Sequence, residues 1–223
     1  MSAQTAGGQR FGVRVVRVLD TTVDMVTAII LTLLLLLGCY ALWDSQQVYD
    51  NASSVSYAEY KPTTVSTEGF QELQAANPDV FGWLEVYGTN IDYPLVQADD
   101  NTTYLNVNAK GEYSLTGALF LDYANDRHFA DFNSIIYGHH LEKEVMFGEI
   151  GNFENEEFFD EHRYGNLYYD GADHGIEFFA FVLTDAYDST IYTVVKSNSG
   201  QERAYVDGLL SQASRVRDVE VAE

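Results

Sequence analysis

The sequence feature that most constrains the fold is an uncharged apolar run, MVTAIILTLLLLLGCYALW, from Met25 to Trp43. As an α-helix this run would extend about 28 Å, close to the roughly 30 Å hydrocarbon thickness of a bilayer. It is longer than the apolar core of a signal peptide, and no small-residue cleavage pattern follows it. We therefore predict a retained transmembrane helix over residues 25–43, with a cleaved signal peptide as the alternative.

The residues on either side of the apolar run predict its orientation. Arg10, Arg14 and Arg17 precede the run, whereas the first basic residue after it is Lys61. Because basic residues favour the cytoplasmic side of a membrane, we predict that residues 1–24 are a cytoplasmic tail. The chain is thus expected to cross the cell membrane once and to expose its C-terminal part outside the cell.

The predicted extracellular part is strongly acidic. The chain has a formal net charge of −22, and residues 1–24 hold three Arg and two Asp, so the remainder carries −23. Such a charge repels nucleic acid and anionic lipid, and we expect no nucleic-acid partner. Residues 44–66 are polar and are predicted to form a stalk, followed by a folded domain over residues 67–223.

The pattern of the predicted domain indicates a mainly β fold. WLEVYGTNIDYPL predicts two strands around a Gly-Thr-Asn turn, and Asp170-Gly171 predicts a hairpin between two β-rich runs. Helices are predicted at TEGFQELQAAN and at about residues 143–150, 155–163 and 201–213. Many short strands with few helices are typical of a β-barrel or β-sandwich with helical insertions.

Two adjacent histidines, His139 and His140, stand where an apolar run ends in NSIIYGHHLEKEVMFGEI. A histidine at a strand end can act as a general acid or base if a reacting partner lies beside it. The alternative is a half-buried histidine with a structural role. No two of the five histidines show the helical spacing of a metal site with an acid between them, so we predict neither a metal nor another cofactor.

Three blocks of the sequence carry a resemblance to a known family. They are NPDVFGWLEVYGTNIDYPLVQADDNTTYL, GALFLDYAN and NSIIYGHHLEKEVMFGEI. In this order, over about residues 67–215, they resemble the first two thirds of the catalytic domain of a class B sortase. The resemblance implies a sortase-type β-barrel with helical insertions behind an N-terminal membrane anchor.

The activity that this resemblance implies is that of a cysteine transpeptidase of the bacterial cell surface. Such an enzyme cleaves the C-terminal sorting signal of secreted proteins after Thr. It then transfers the acyl group to an amine of the cell wall, in a peptidoglycan cross-bridge or precursor. The expected partners are therefore these secreted proteins, the cell-wall amine and, through the N-terminal helix, the lipid bilayer.

The resemblance also implies roles for four residues. His139 matches the catalytic histidine of the family, and Asn101, Leu105 and Tyr137 fall where class B enzymes line the groove for the sorting signal. Considered without the resemblance, Asn101 could instead cap a helix, Leu105 could belong to the core, and Tyr137 could form part of the barrel wall.

The sequence departs from the family pattern near its C-terminus. The nucleophile of the family is a Cys on a late strand, followed by an Arg that stabilises the oxyanion, and SRVRDVEVAE ends before both would occur. Cys39 lies inside the apolar run, so we do not assign it this role. We expect that this chain is a truncated sortase domain and that it has no transpeptidase activity. The alternative is a non-catalytic surface module that binds sorting signals without cleaving them.

Overall fold

The computed structural model describes residues 4–218. The chain divides into two compact units, residues 1–47 and residues 48–223. The first residues of the predicted tail, 1–3, and the last residues of the predicted domain, 219–223, lie outside the described residues.

The first unit is formed by one long helix, α1 (Gln4–Ala52), which contains the whole apolar run. Its leucines are exposed, as shown by exposed fractions of 58% for Leu34 and 68% for Leu35. Such a row of apolar side chains is unfavourable in water and favourable in hydrocarbon. Among the described residues, α1 is the one helix with the length and composition to cross a membrane.

The second unit is built from short strands and a few helices. Its strands are β1 (Val80–Val86), β2 (Asp92–Val96), β3 (Leu119–Leu121), β4 (Ile136–Tyr137), β5 (Tyr164–Tyr169), β6 (Ala172–Glu177), β7 (Ala180–Val182) and β8 (Ala213–Val216). Its α-helices are α2 (Glu68–Ala76), α3 (Glu156–Glu161) and α4 (Glu202–Gln212), and 3₁₀ helices span Ser54–Tyr60, Thr103–Leu105 and Ile150–Glu154.

Six of the strands form one sheet in the order β4-β3-β2-β1-β5-β6, and β7 pairs with β8 in a second sheet. The β2–β3 pair is parallel, with Leu95 opposite Leu119, and the other pairs are antiparallel. A parallel pair requires a long crossover connection. That connection, residues 97–118, carries two of the four predicted site residues.

The core lies around the central strands β1, β2 and β3. All three residues of β3 are buried, and Leu95 and Ile91 have no exposed surface. Helix α2 packs its Phe70 edge-on against Tyr168 of β5 at a ring distance of 5.4 Å. Because each fully buried large apolar side chain contributes roughly 1.5–3 kcal/mol, this core holds the ends of the sheet strands in fixed positions.

The predicted mainly β fold with helical parts is confirmed. Helix α2 occupies the predicted segment, with Phe70 and Leu73 buried. The Asp-Gly hairpin joins β5 to β6, and Asp170 and Gly171 have φ angles of +51° and +77°. Two successive left-handed residues form the turn that matches the twist of an antiparallel hairpin, which is why this dipeptide is a strong sequence signal.

The helix predicted over residues 143–150 is wrong, because this segment forms turns and a 3₁₀ helix begins only at Ile150. Bonds to the β1–β2 turn and to strand β2 replace the helical pattern. The buried Glu149 carboxylate accepts from the Asn90 amide at 2.5 Å, and the Met146 amide donates to the Tyr93 hydroxyl at 3.0 Å. The helices predicted at about 155–163 and 201–213 are present in shorter form as α3 and α4.

The predicted stalk, residues 44–66, contains the end of α1 and the 3₁₀ helix Ser54–Tyr60. Tyr57 is 4% exposed and packs on Tyr93 at a ring distance of 6.2 Å. The Tyr93 hydroxyl donates to the carbonyl of Ala52 at 3.0 Å. This part of the chain thus contributes to the core of the second unit, while the boundaries of the predicted tail, stalk and domain stay predictions.

Candidate active site

The candidate site lies where β4 ends and the β2–β3 crossover passes beside it. Tyr137 is the last residue of β4 and pairs with Phe120 of β3. Gly138 follows, and a Cβ atom there would lie 2.3 Å from the Leu119 side chain and 2.7 Å from the Phe147 ring. Since there is no room for a side chain at this position, the backbone that leads into His139 packs directly on the core.

His139 is half-buried and contacts the crossover. Its Nε2 atom lies 3.0 Å from the carbonyl oxygen of Leu105. A carbonyl oxygen can only accept, so Nε2 carries the hydrogen and the Nδ1 atom is left to take up or release a proton. The Phe147 amide donates to the carbonyl of His139 at 3.0 Å, which fixes the backbone on its other side.

Asn101 and Tyr137 meet at a residue that the sequence did not single out, Asp122. The Asn101 Nδ2 and the Tyr137 hydroxyl both donate to Asp122 Oδ2, at 2.8 Å and 2.9 Å. Asp122 directly follows β3 and is only 6% exposed. One buried carboxylate therefore joins the crossover to the end of β4.

The crossover segment that carries Asn101 and Leu105 is held by Asp100. Its carboxylate accepts from the amides of Thr102 and Thr103 at 2.6 Å and 2.7 Å, and also from both threonine hydroxyls. These backbone hydrogen bonds, that from Thr102 first, lower the pKa of Asp100 to about 2. Asp100, and not Asn101, thus supplies the side-chain acceptor for the first amides of this segment.

The side chains of Leu105 and Tyr137 differ in their surroundings. Leu105 is 38% exposed and is therefore a surface residue, although its carbonyl binds His139. The Tyr137 ring packs on Phe120 at 5.2 Å and stacks on Tyr192 at 6.3 Å. Burial, and then the Asp122 carboxylate, raise the pKa of Tyr137, so its hydroxyl keeps its proton throughout the physiological pH range.

The structure brings the four predicted site residues together, and their roles remain predictions.

Three other histidines have structural contacts elsewhere: His162 stacks on Phe158, His174 stacks on Tyr169, and His128 pairs with Asp170. Within residues 4–218, no group of three or more metal-ligating side chains is assembled. The single cysteine, Cys39, lies in the apolar run of α1.

Sequence reasoning missed Asp122 and Tyr192. The signal for Asp122 was present in GALFLDYAN, where an acid follows an uninterrupted apolar strand. An acid in that position is at the end of a buried strand and needs hydrogen-bond donors nearby. No local pattern marks Tyr192, which lies far from Tyr137 in the sequence and meets it only in the fold.

Comparisons with known proteins agree with this architecture, although no family model matches the chain. A sortase B of the type II pilus of Streptococcus pneumoniae is 49% identical, with a TM-score of 0.59 over 70% of this chain and 83% of that structure. A class B sortase of Streptococcus pyogenes that is involved in pilus biogenesis is 37% identical, with a TM-score of 0.64 over 69% of this chain and 83% of that structure.

Among curated proteins, sortase B of Listeria monocytogenes is 37% identical over 117 residues. That match covers 51% of this chain and 48% of the Listeria protein, so the chain spans about half the length of this relative. The fold is therefore that of a sortase. More narrowly, the chain belongs to the class B sortase family.

Proposed function

We propose that this chain acts as a membrane-anchored class B sortase, which cleaves a C-terminal sorting signal of secreted proteins after Thr and transfers the acyl group to a cell-wall amine. The observation that carries the proposal is the position of His139. Its ring bonds to the Leu105 carbonyl of the crossover, and its backbone follows the tightly packed Gly138, in a chain of this family.

The contact with Leu105 supports a role for His139 in proton transfer in both halves of such a reaction. With Nε2 bound to the Leu105 carbonyl, Nδ1 can carry the second proton of the ring. A cysteine thiolate would attack the Thr carbonyl, and the C–N bond would break as the ring protonates the departing amine. The incoming amine would then lose its proton to His139 as it attacks the thioester and releases the thiolate.

The nucleophile of this proposal is not Cys39. That residue lies in the apolar run of α1, where a thiolate surrounded by hydrocarbon would be strongly disfavoured. It is also the only cysteine in the 223 residues. We propose that these residues supply the acid–base group and the groove, and that residues 1–223 alone transfer no acyl group because they offer no cysteine other than Cys39.

The proposed location is the cell membrane, with the N-terminus in the cytoplasm and the domain outside. The support is the length and exposed leucines of α1 together with the basic residues Arg10, Arg14 and Arg17 before its apolar run.

A second function, peptide binding without cleavage, is favoured by one observation. Asn101, Leu105, Tyr137 and His139 are assembled, whereas no cysteine lies in residues 48–218. Groove complementarity and thiol chemistry are separable, so such a surface could hold a sorting signal without reacting.

The experiment that tests the proposal uses the protein encoded by the complete reading frame, in lipid nanodiscs. Cleavage and amine-dependent transfer of a fluorogenic five-residue peptide pool containing Thr would be measured. We expect turnover, and His139→Ala should lower kcat by about 100-fold or more because the general acid is lost. His140→Ala is the matched control, since the neighbouring ring is exposed, and it should retain most of the activity.

Three outcomes would contradict this proposal. Equal losses in His139→Ala and His140→Ala would remove the basis for choosing His139. Peptide binding with no turnover by the complete protein would favour the non-catalytic module, and turnover by residues 1–223 alone would show that the nucleophile is wrongly placed.

A further inference from the structure

We propose that Asp122 is a positioning residue that sets which hydrogen-bonding group Tyr137 presents to a bound peptide. Through this contact Tyr137 would offer the peptide an acceptor and not a donor, so that it selects a backbone N–H. The inference rests on the proposed function, since it deepens the account of how the same groove recognises its ligand.

Asp122 is itself held rigidly. Its amide donates to the Ile135 carbonyl at 2.8 Å, and its carbonyl accepts from Gln97 Nε2 at 2.9 Å. Its Oδ1 accepts from the Ala124 amide at 2.8 Å. With 6% of its surface exposed, the carboxylate has little access to water, so its oxygens depend on these protein donors.

The direction of the Tyr137 hydrogen bond follows from the chemistry of the partners. A carboxylate oxygen can only accept, so the hydroxyl hydrogen of Tyr137 points to Asp122 Oδ2, 2.9 Å away. A phenol has one hydrogen, and therefore only oxygen lone pairs remain for a ligand. A peptide group that approaches this oxygen must bring a donor, such as a backbone N–H.

Asn101 is oriented by the same carboxylate. Its Nδ2 donates to Asp122 Oδ2 at 2.8 Å, and its Oδ1 accepts from the Tyr123 amide at 3.0 Å. These two bonds together assign the nitrogen and the oxygen of the side-chain amide. The second hydrogen on Nδ2 remains as a donor. Asp122 therefore leaves one hydrogen-bond donor on Asn101 and one acceptor on Tyr137. These two groups can bind the C=O and the N–H of a peptide unit, respectively.

Replacing Asp122 by Asn would keep the shape and break this pattern. The carboxylate accepts from three donors: Asn101 Nδ2, the Tyr137 hydroxyl and the Ala124 amide. An amide has one oxygen, so its NH₂ group must face either the Ala124 amide or the other two donors. The second orientation is preferred, because the Ala124 N–H is fixed by the backbone whereas the Tyr137 hydroxyl can rotate. The NH₂ group then donates to the Tyr137 oxygen, and the phenol hydrogen becomes free to point toward the ligand.

The test is peptide binding by the 223-residue chain in lipid nanodiscs, measured by fluorescence anisotropy. The probes are the best-binding member of a labelled pool of five-residue peptides containing Thr, and a series in which each backbone N–H of that peptide is replaced in turn by an ester oxygen. In the wild type we expect one ester position to weaken binding about tenfold, because one N–H···O bond is lost.

Asp122→Asn and Tyr137→Phe should each weaken binding of the parent peptide about tenfold and abolish the extra penalty at that ester position. Asp99→Asn is the matched control, since it removes one negative charge from an exposed residue of the crossover, and it should preserve the wild-type pattern. A loss caused only by disturbed packing would lower all affinities equally and leave the position-specific penalty in place.

The outcomes separate this inference from the function on which it rests. If the wild type binds the peptide and Asp122→Asn keeps the ester penalty, the positioning role of Asp122 is overturned. The proposal that the groove binds peptides is then still supported. If Asp122→Asn does not fold, Tyr137→Phe decides, because a penalty that survives loss of the hydroxyl also overturns the inference. If the wild type binds no peptide, the proposed function fails and the role of Asp122 fails with it.

Discussion

Two loops flank His139, and they are stabilised in opposite ways. In the first loop, residues 100–105, the Asp100 carboxylate binds two backbone amides and two hydroxyls of the next residues. In the second loop, residues 140–146, a backbone bridge joins His140 to Met146, and Lys143, Glu144 and Met146 have φ angles of +59°, +58° and +52°. A left-handed conformation costs a non-glycine residue about 1–2 kcal/mol.

The difference shows what each loop depends on. The first loop is stabilised by its own side chains, so its sequence largely determines its shape. The second loop adopts an unfavourable conformation that the rest of the domain must impose, chiefly through the bond from the Met146 amide to the Tyr93 hydroxyl. His139, the candidate acid–base residue, thus lies between a loop whose conformation depends on its own sequence and a loop whose conformation depends on tertiary contacts.

The largest expected effect comes from removing the anchor of the second loop. Tyr93→Phe leaves the Met146 amide and the Ala52 carbonyl buried without the hydroxyl that bonds to both. We expect the free energy of unfolding to fall by about 2–3 kcal/mol. Urea unfolding of the full chain in detergent micelles, followed by tryptophan fluorescence, measures this change.

The matched control for this variant is Tyr123→Phe, because Tyr123 is 58% exposed. It should change the free energy of unfolding by less than about 0.5 kcal/mol. Equal effects of the two substitutions would mean that the Tyr93 bond does not hold the second loop, and the contrast between the loops would be lost.

A smaller effect, of opposite sign, is expected from relieving strain in the second loop. Glu144 is exposed, and glycine adopts its φ of +58° without a steric penalty. Glu144→Gly should raise the free energy of unfolding by about 0.5–1 kcal/mol, after the added entropy of the unfolded glycine is subtracted. The same urea titration reports it.

Glu142→Gly serves as the comparison for Glu144→Gly. Glu142 is an exposed glutamate of the same loop, but its φ is not in the left-handed region. It should therefore lower the free energy of unfolding, since glycine only adds flexibility there. Destabilisation by both substitutions would argue that residue 144 is not strained.

The smallest effect is a pH dependence confined to the first loop. Because its hydrogen bonds lower the pKa of Asp100 to about 2, the contribution of this carboxylate is fully present above the ordinary value of 3.8 and is lost as the pH falls through about 2. The Thr102 and Thr103 amide resonances should shift with that midpoint. The Met146 amide is bound to a hydroxyl, so its resonance should not change with this midpoint. If the Met146 resonance shifted with the same midpoint as Thr102 and Thr103, the contrast between the two loops would be contradicted.

Local signals made part of the fold predictable. Helix α2, the turn between β1 and β2, and the Asp170–Gly171 hairpin depend on residues that are neighbours in sequence, so periodicity and turn chemistry were sufficient. The segment 143–150 was mispredicted because its apolar spacing reflects burial of Val145 and Met146 in a non-helical segment. The partners that decide this, Asn90 and Tyr93, lie in another part of the chain.

Residues of the candidate site were predictable only where the family resemblance assigned a role to an individual residue. His139, Asn101, Leu105 and Tyr137 came from quoted motifs, and the fold places them together. Asp122 could not be recognised as their common partner, because its contacts with Asn101 and Tyr137 exist only after β3 and β4 have paired. Hydrogen-bond networks of this kind follow from the register of strands and not from local composition.

The contact between His139 Nε2 and the Leu105 carbonyl has a consequence for the cost of recognition. Turning the imidazole by 180° about its Cβ–Cγ bond would place a carbon atom opposite that oxygen and lose the hydrogen bond. One ring orientation is therefore selected while the chain folds. A peptide that arrives later meets a side chain whose rotational entropy has already been lost, and less of its own binding energy is consumed in ordering the protein.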